Sequence, residues 1–128
     1  MENLVIAKTE STPEIHFDAS TGTLALSGES YPENPSEFYT PVFDWIKTYL
    51  SDDEAAPITV NIEILYFNSS SSKALMNLFD LLDAAAEDGK NITVNWIYDV
   101  GNESSLEYGE EFKEDLDELT FNLVEKNG

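Results

Sequence analysis

The stretch Ile58-Thr59-Val60-Asn61-Ile62-Glu63-Ile64-Leu65-Tyr66-Phe67-Asn68-Ser69-Ser70-Ser71-Ser72-Lys73 decides the fold. Its first ten residues are β-branched and aromatic, the composition of a buried strand. After the serines the period changes. Leu75, Leu78, Phe79, Leu82 and Ala86 share one helical face, and Gly89 is placed to stop that helix. A strand that passes through a short polar junction into an amphipathic helix is half of a βαβ unit.

Downstream, Ile92 to Tyr98 reads as the next strand, Asn102 to Asp117 as a polar helix with Phe112 and Leu116 facing in, and Thr120 to Val124 as a last strand. Upstream, Phe38, Val42, Trp45, Ile46, Tyr49 and Leu50 recur at helical spacing. Asn34 suits that helix's N-cap and Pro35 its first turn, while Asp52-Asp53-Glu54 and Pro57 close it. Ser27 to Ser36 reads as a loop. Before it, Leu4 to Ala7, Ile15 to Phe17 and Thr23 to Leu26 are short strands, the last two joined by turn residues from Asp18 to Gly22. The expected architecture is α/β: one domain over residues 1–128, with a mixed β-sheet, an N-terminal antiparallel hairpin and then αβ units whose helices pack on the sheet.

Composition narrows the function. The chain has 128 residues, 26 acids, six lysines and no arginine, for a formal net charge of −20. So negative a field repels nucleic-acid phosphates and anionic membrane surfaces. Without Arg there is no bidentate clamp for phosphate. The absence of Cys excludes disulfides, thiolate nucleophiles and cysteine metal sites. No apolar run approaches the ~18–20 residues of a membrane span, and the N-terminus lacks a signal-peptide pattern, so a soluble, cytoplasmic protein is expected.

Signatures of catalysis are missing as well. No G-x-S-x-G elbow or glycine-rich phosphate loop occurs, and the single histidine, His16, falls on a short strand where a half-buried or surface imidazole is expected. Asp52-Asp53-Glu54 lacks calcium-loop spacing. The acids from Glu110 to Glu118 fit either a solvated helix surface or a docking face. No metal, cofactor or catalytic residue is assigned.

The serine run sits where an open α/β sheet places ligands and reactive groups, at the carboxyl end of a strand. A helix N-terminus there offers unsatisfied N–H groups and partial positive charge. One serine serves as an N-cap; four exceed that need. Two readings stand: capping and turn formation, or a phosphorylation site with Asn68 shaping the junction and Lys73 screening the phosphate.

Tyr66 to Lys73 with Ala74-Leu75-Met76, Gly28 to Asn34, Asp80-Leu81-Leu82, Val94 to Asp99, Asn102-Glu103 and Gly109 to Asp115 together resemble the SiaC family of regulatory phosphoproteins, from about Ser11 to the C-terminus. Members of that family are similar to STAS domains, the fold of anti-sigma-factor antagonists. The resemblance implies a bacterial partner switch. A serine/threonine kinase of the anti-sigma-factor type phosphorylates one hydroxyl, and a PP2C-type phosphatase removes the group. The unmodified form binds and activates a diguanylate cyclase, which promotes cyclic-di-GMP signalling and biofilm formation.

Carried over by position, the family's acceptor falls on Ser69, where the family usually has Thr. The wider antagonist pattern of Asp, two Ser and Gly places it on Ser70, with Asn68 at the Asp position and Ser71 at the Gly position. Tyr31, Glu33, Asn34, Trp96 and Tyr98 are candidate partner contacts, with core packing and turn formation as their alternative roles. Other functional readings are a constitutive acidic binding module and a metal-assisted hydrolase built on the acid clusters.

Overall fold

The computed structural model describes residues 1–52 and 57–127. Asp53 and Glu54, assigned above to the end of the first helix and to an acid cluster, lie outside the described residues. Among the described residues, six strands and three helices follow one another as β1 (Leu4–Ile6), β2 (Glu14–Asp18), β3 (Thr23–Ser30), α1 (Pro35–Leu50), β4 (Ile58–Phe67), α2 (Ser69–Glu87), β5 (Ile92–Asp99), α3 (Glu103–Glu114) and β6 (Thr120–Lys126).

The strands lie in the sheet in chain order. β1, β2 and β3 are an antiparallel meander, and β3 to β6 run parallel, each pair joined through one helix. Right-handed crossovers that always step in the same direction place all three helices on one side of the sheet. The burial pattern agrees. Ile58, Val60, Ile62 and Ile64 are buried, whereas Thr59, Asn61 and Glu63 between them stay partly exposed. On that open face Asn61, Asn95 and Asn122 stand in register across three strands, each amide nitrogen donating to the next carbonyl oxygen at 2.9 and 3.0 Å. His16 is exposed, as expected for a strand imidazole outside the core.

Beneath the helices the core is aliphatic in the centre and aromatic toward β6, where Phe79, Trp96, Phe112 and Phe121 meet largely edge to face. α2 ends as its sequence foretells. Gly89 takes φ +99°, its N–H reaches Ala86 O at 3.0 Å, and the Lys90 N–H reaches Ala85 O at 3.1 Å, the paired bonds of a Schellman motif.

The structure departs from the sequence expectation most in three places. Ser27 to Ser30 are not loop: they extend β3, because β4 offers a parallel partner as far as Phe67. α3 stops at Glu114 rather than Asp117, with Asp115 as its C-cap, although Leu116 still packs against the core. The serines, read as a junction with one of them as the cap, are all helical, since α2 begins at Ser69.

Candidate functional site: the first turn of the second helix

A register shift between Gly28 and Glu29 shapes the site. Gly28 pairs with Ile64 but Glu29 pairs with Tyr66, so β4 carries one extra residue there. Strict alternation would send Tyr66 into the core with Ile62 and Ile64. The inserted residue instead turns Phe67 inward, where it is 9% exposed, and leaves Tyr66 56% exposed. Tyr66 then stands at the C-terminal end of β4 beside the serines. Tyr31 meets it edge to face at 5.7 Å, and Tyr108 of α3 packs on Phe67 at 4.8 Å. Tyr31 and Tyr108 are themselves 38% and 43% exposed.

The cap is Asn68, not a serine. Its Oδ1 accepts from the Ser71 N–H at 3.0 Å, and its carbonyl accepts from the Ser72 N–H at 2.9 Å. The four serines are therefore the first four helical residues, and they point in different directions. Ser69 is exposed and, with Tyr66, Asn68, Ser72 and Tyr108, lines a groove of about 390 Å³. Ser70 is exposed on the other side, in a groove of about 470 Å³ between α1 and α2 that also holds Tyr39, Phe43 and Lys73. Lys73 follows Ser69 by four residues and Ser70 by three, within helical reach of either.

Ser71 is fully buried. Its Oγ accepts from Ser30 Oγ at 2.8 Å, and Ser30 Oγ lies 2.6 Å from Tyr39 Oη. A hydroxyl carries one proton, so with Ser30 donating to Ser71, Tyr39 donates to Ser30. The chain Tyr39→Ser30→Ser71 thus ties α1, the end of β3 and the first turn of α2 together inside the core. The Asn68 N–H adds a backbone bond to Ser30 O at 3.2 Å. Burial pushes the Tyr39 phenol above its ordinary value, while the nearby Ser30 and Ser71 hydroxyls act in the opposite sense.

The other candidate contacts separate. Tyr31, Glu33 and Asn34 lie on the surface between β3 and α1, and Asn34 caps α1 by accepting from the Glu37 N–H at 3.1 Å. Tyr98 is half-buried at the end of β5. Trp96 takes the core-packing role, the other of the two readings its sequence position allows. At 1% exposure it is core, its indole N–H donating to Ser105 O at 2.9 Å, so it can affect a partner only through packing.

Sequence reading missed Ser30, Tyr39 and Tyr108. Tyr39 was discoverable, because it precedes Val42 by three residues and Ile46 by seven on the buried face of α1. Neither Ser30 nor Tyr108 carried a comparable signal.

The electrostatics of this turn also set it apart. α1 has Glu37 in its first turn and α3 has Glu103, but the first turn of α2 has no acid. Among the described residues, no group of three or more His, Asp or Glu side chains is placed to hold a metal ion, and no helix is long and apolar enough to cross a membrane.

Comparison with known proteins agrees with this fold. An uncharacterized protein of Pseudomonas aeruginosa strain UCBPP-PA14 is 42% identical over 115 residues, 90% of each chain. The crystal structure of apo-SiaC from Pseudomonas aeruginosa superposes with a TM-score of 0.90 at 39% identity, over 97% of this chain and 99% of that one. SiaC crystallised as the activator in complex with the diguanylate cyclase SiaD, also from Pseudomonas aeruginosa, gives 0.91 at 39% identity, over 96% and 99%. The family model described as SiaC family regulatory phosphoprotein matches residues 6–126, and on that match the chain belongs to the SiaC family.

Proposed function

We propose that this protein is a non-enzymatic, cytoplasmic switch whose unmodified form binds and activates a diguanylate cyclase. A kinase of the anti-sigma-factor type phosphorylates it, and a PP2C-type phosphatase restores it. The acceptor is Ser69, with Ser70 as the second choice. One observation carries this reading: Ser69 is an exposed hydroxyl on the first turn of α2, in a groove bordered by the exposed rings of Tyr66 and Tyr108.

Such a position suits both halves of a switch. The turn's free N–H groups and the end of the helix dipole tolerate a phosphate. Exposed tyrosines beside it suit a protein contact, since aromatic residues are enriched in the parts of interfaces that bind most strongly. A phosphate of −1.5 to −2 charges placed within that contact would have to be desolvated on a protein already at −20, which disfavours docking. The cyclase-bound relative supports the partner class.

The test is intact-mass spectrometry after treatment with an anti-sigma-type kinase, followed by cyclase binding and turnover measured with both forms. One added phosphate, absent in Ser69→Ala, together with cyclase activation by the unmodified form only, is the expected result. A wild-type protein that takes no phosphate, or that activates equally in both forms, sinks the reading.

A further inference from the structure

We propose that Tyr39 is the positioning residue of the phosphoacceptor turn: through Ser30 and Ser71 it fixes the rotational setting of α2's first residues, and so determines which serine is offered to the kinase. The inference rests on the function proposed above and adds to it a determinant that no surface residue supplies.

The four consecutive serines are chemically alike, so residue identity gives a kinase no means to choose among them. The geometry does. A helix advances by about 100° per residue, so locking one serine inward sets the directions of the others. Ser71 is the one locked, with both its N–H and its Oγ bonded, the first to the Asn68 side chain and the second to Ser30. With Ser71 inward, Ser69 faces the tyrosine groove and Ser70 the groove between α1 and α2. The Asn68 cap holds the backbone N–H of this turn and the buried apolar face of α2 holds its later turns; what remains is a lock on the serine side chains themselves. The buried hydroxyl chain supplies that lock, and its outermost member, Tyr39, belongs to a different helix.

Tyr39→Phe tests this with little disturbance, since it keeps the buried ring and removes only the hydroxyl; Ser30→Ala breaks the middle link. Amide exchange is followed in the full-length protein at Ser71 and Ser72, and the phosphate added by the kinase is mapped by fragmentation. In wild type, phosphate is expected on one serine. In both variants, exchange at Ser71 and Ser72 is expected to rise about tenfold, the factor that loss of one buried hydrogen bond makes in an opening equilibrium, with β5 and β6 unchanged. Phosphate is then expected to divide between Ser69 and Ser70.

Unchanged exchange overturns the proposal. So does a uniform rise across the sheet, which would mean general destabilisation, and so does phosphate that stays on the wild-type serine at the wild-type rate. If wild type accepts no phosphate, the function proposed above falls, and the exchange at Ser71 and Ser72 still decides the role of Tyr39.

Discussion

Gly109 lies directly against the indole of Trp96: a Cβ built on it would stand 2.6 Å from Trp96 Cδ1 and 2.8 Å from Leu123 Cδ2. α3 can approach β5 and β6 this closely only because residue 109 has no side chain. Gly109→Ala would gain helix propensity but overpack the aromatic core, and overpacking typically costs about 1–3 kcal/mol. A lower urea midpoint at unchanged slope is expected, read from the fluorescence of the displaced tryptophan. An unchanged or higher midpoint would show that the two elements can move apart freely.

Asn68 holds the first turn of α2 through its side-chain oxygen. Asn68→Ala is expected to cost about 1 kcal/mol, and Asn68→Asp much less, because aspartate caps equally well. Thermal melts of the three proteins at neutral pH give the comparison. Equal losses in both variants would refute a capping role.

Tyr66 is turned outward by the extra residue in β4. If the groove beside Ser69 receives the cyclase, Tyr66→Ala should weaken binding by about 2 kcal/mol, roughly thirtyfold, as truncation of a central interface aromatic does. The stability of the free protein should scarcely change, since the ring is mostly in water. Titration calorimetry with purified cyclase measures the first quantity and a urea melt the second.

Tyr39 gives stability a pH dependence of known sign. Its phenol is raised above the usual value of about 10, so between that pH and its own titration the folded protein keeps a proton that the unfolded chain has released. The contribution is complete below about pH 10 and is lost as pH rises through the folded value. Urea midpoints measured upward from about pH 9 should fall in wild type and fall less steeply in Tyr39→Phe. Parallel curves would exclude Tyr39 as the cause.

The alternation of helix and strand periods from Phe38 onward was legible because each element buries one face, and burial writes its period into the sequence. The caps at Asn34 and Gly89 were legible for a similar reason, being set by local backbone chemistry. Ser27 to Ser30 were not: serine and glycine carry turn propensity, and only pairing with β4 makes them a strand. The outward turn of Tyr66 depends on a mismatch between two strands distant in sequence, so neither strand records it alone. The same holds for Ser30, Tyr39 and Ser71, three ordinary residues whose joint role exists only once β3, α1 and α2 meet. Trp96 stayed open between core and contact because an aromatic within a distinctive motif suits both.

The acid-free first turn of α2 bears on how a partner could sense modification at all. A phosphate on a chain of net −20 alters the total by at most about a tenth, and a distant observer at physiological salt would hardly register it. At the turn the comparison is different. With Asn rather than Asp as its cap and no carboxylate in its first turn, the turn itself carries no acid, and a phosphate there would be its first negative group. The protein is thus a quiet spot inside a loud field, legible only to something that touches it.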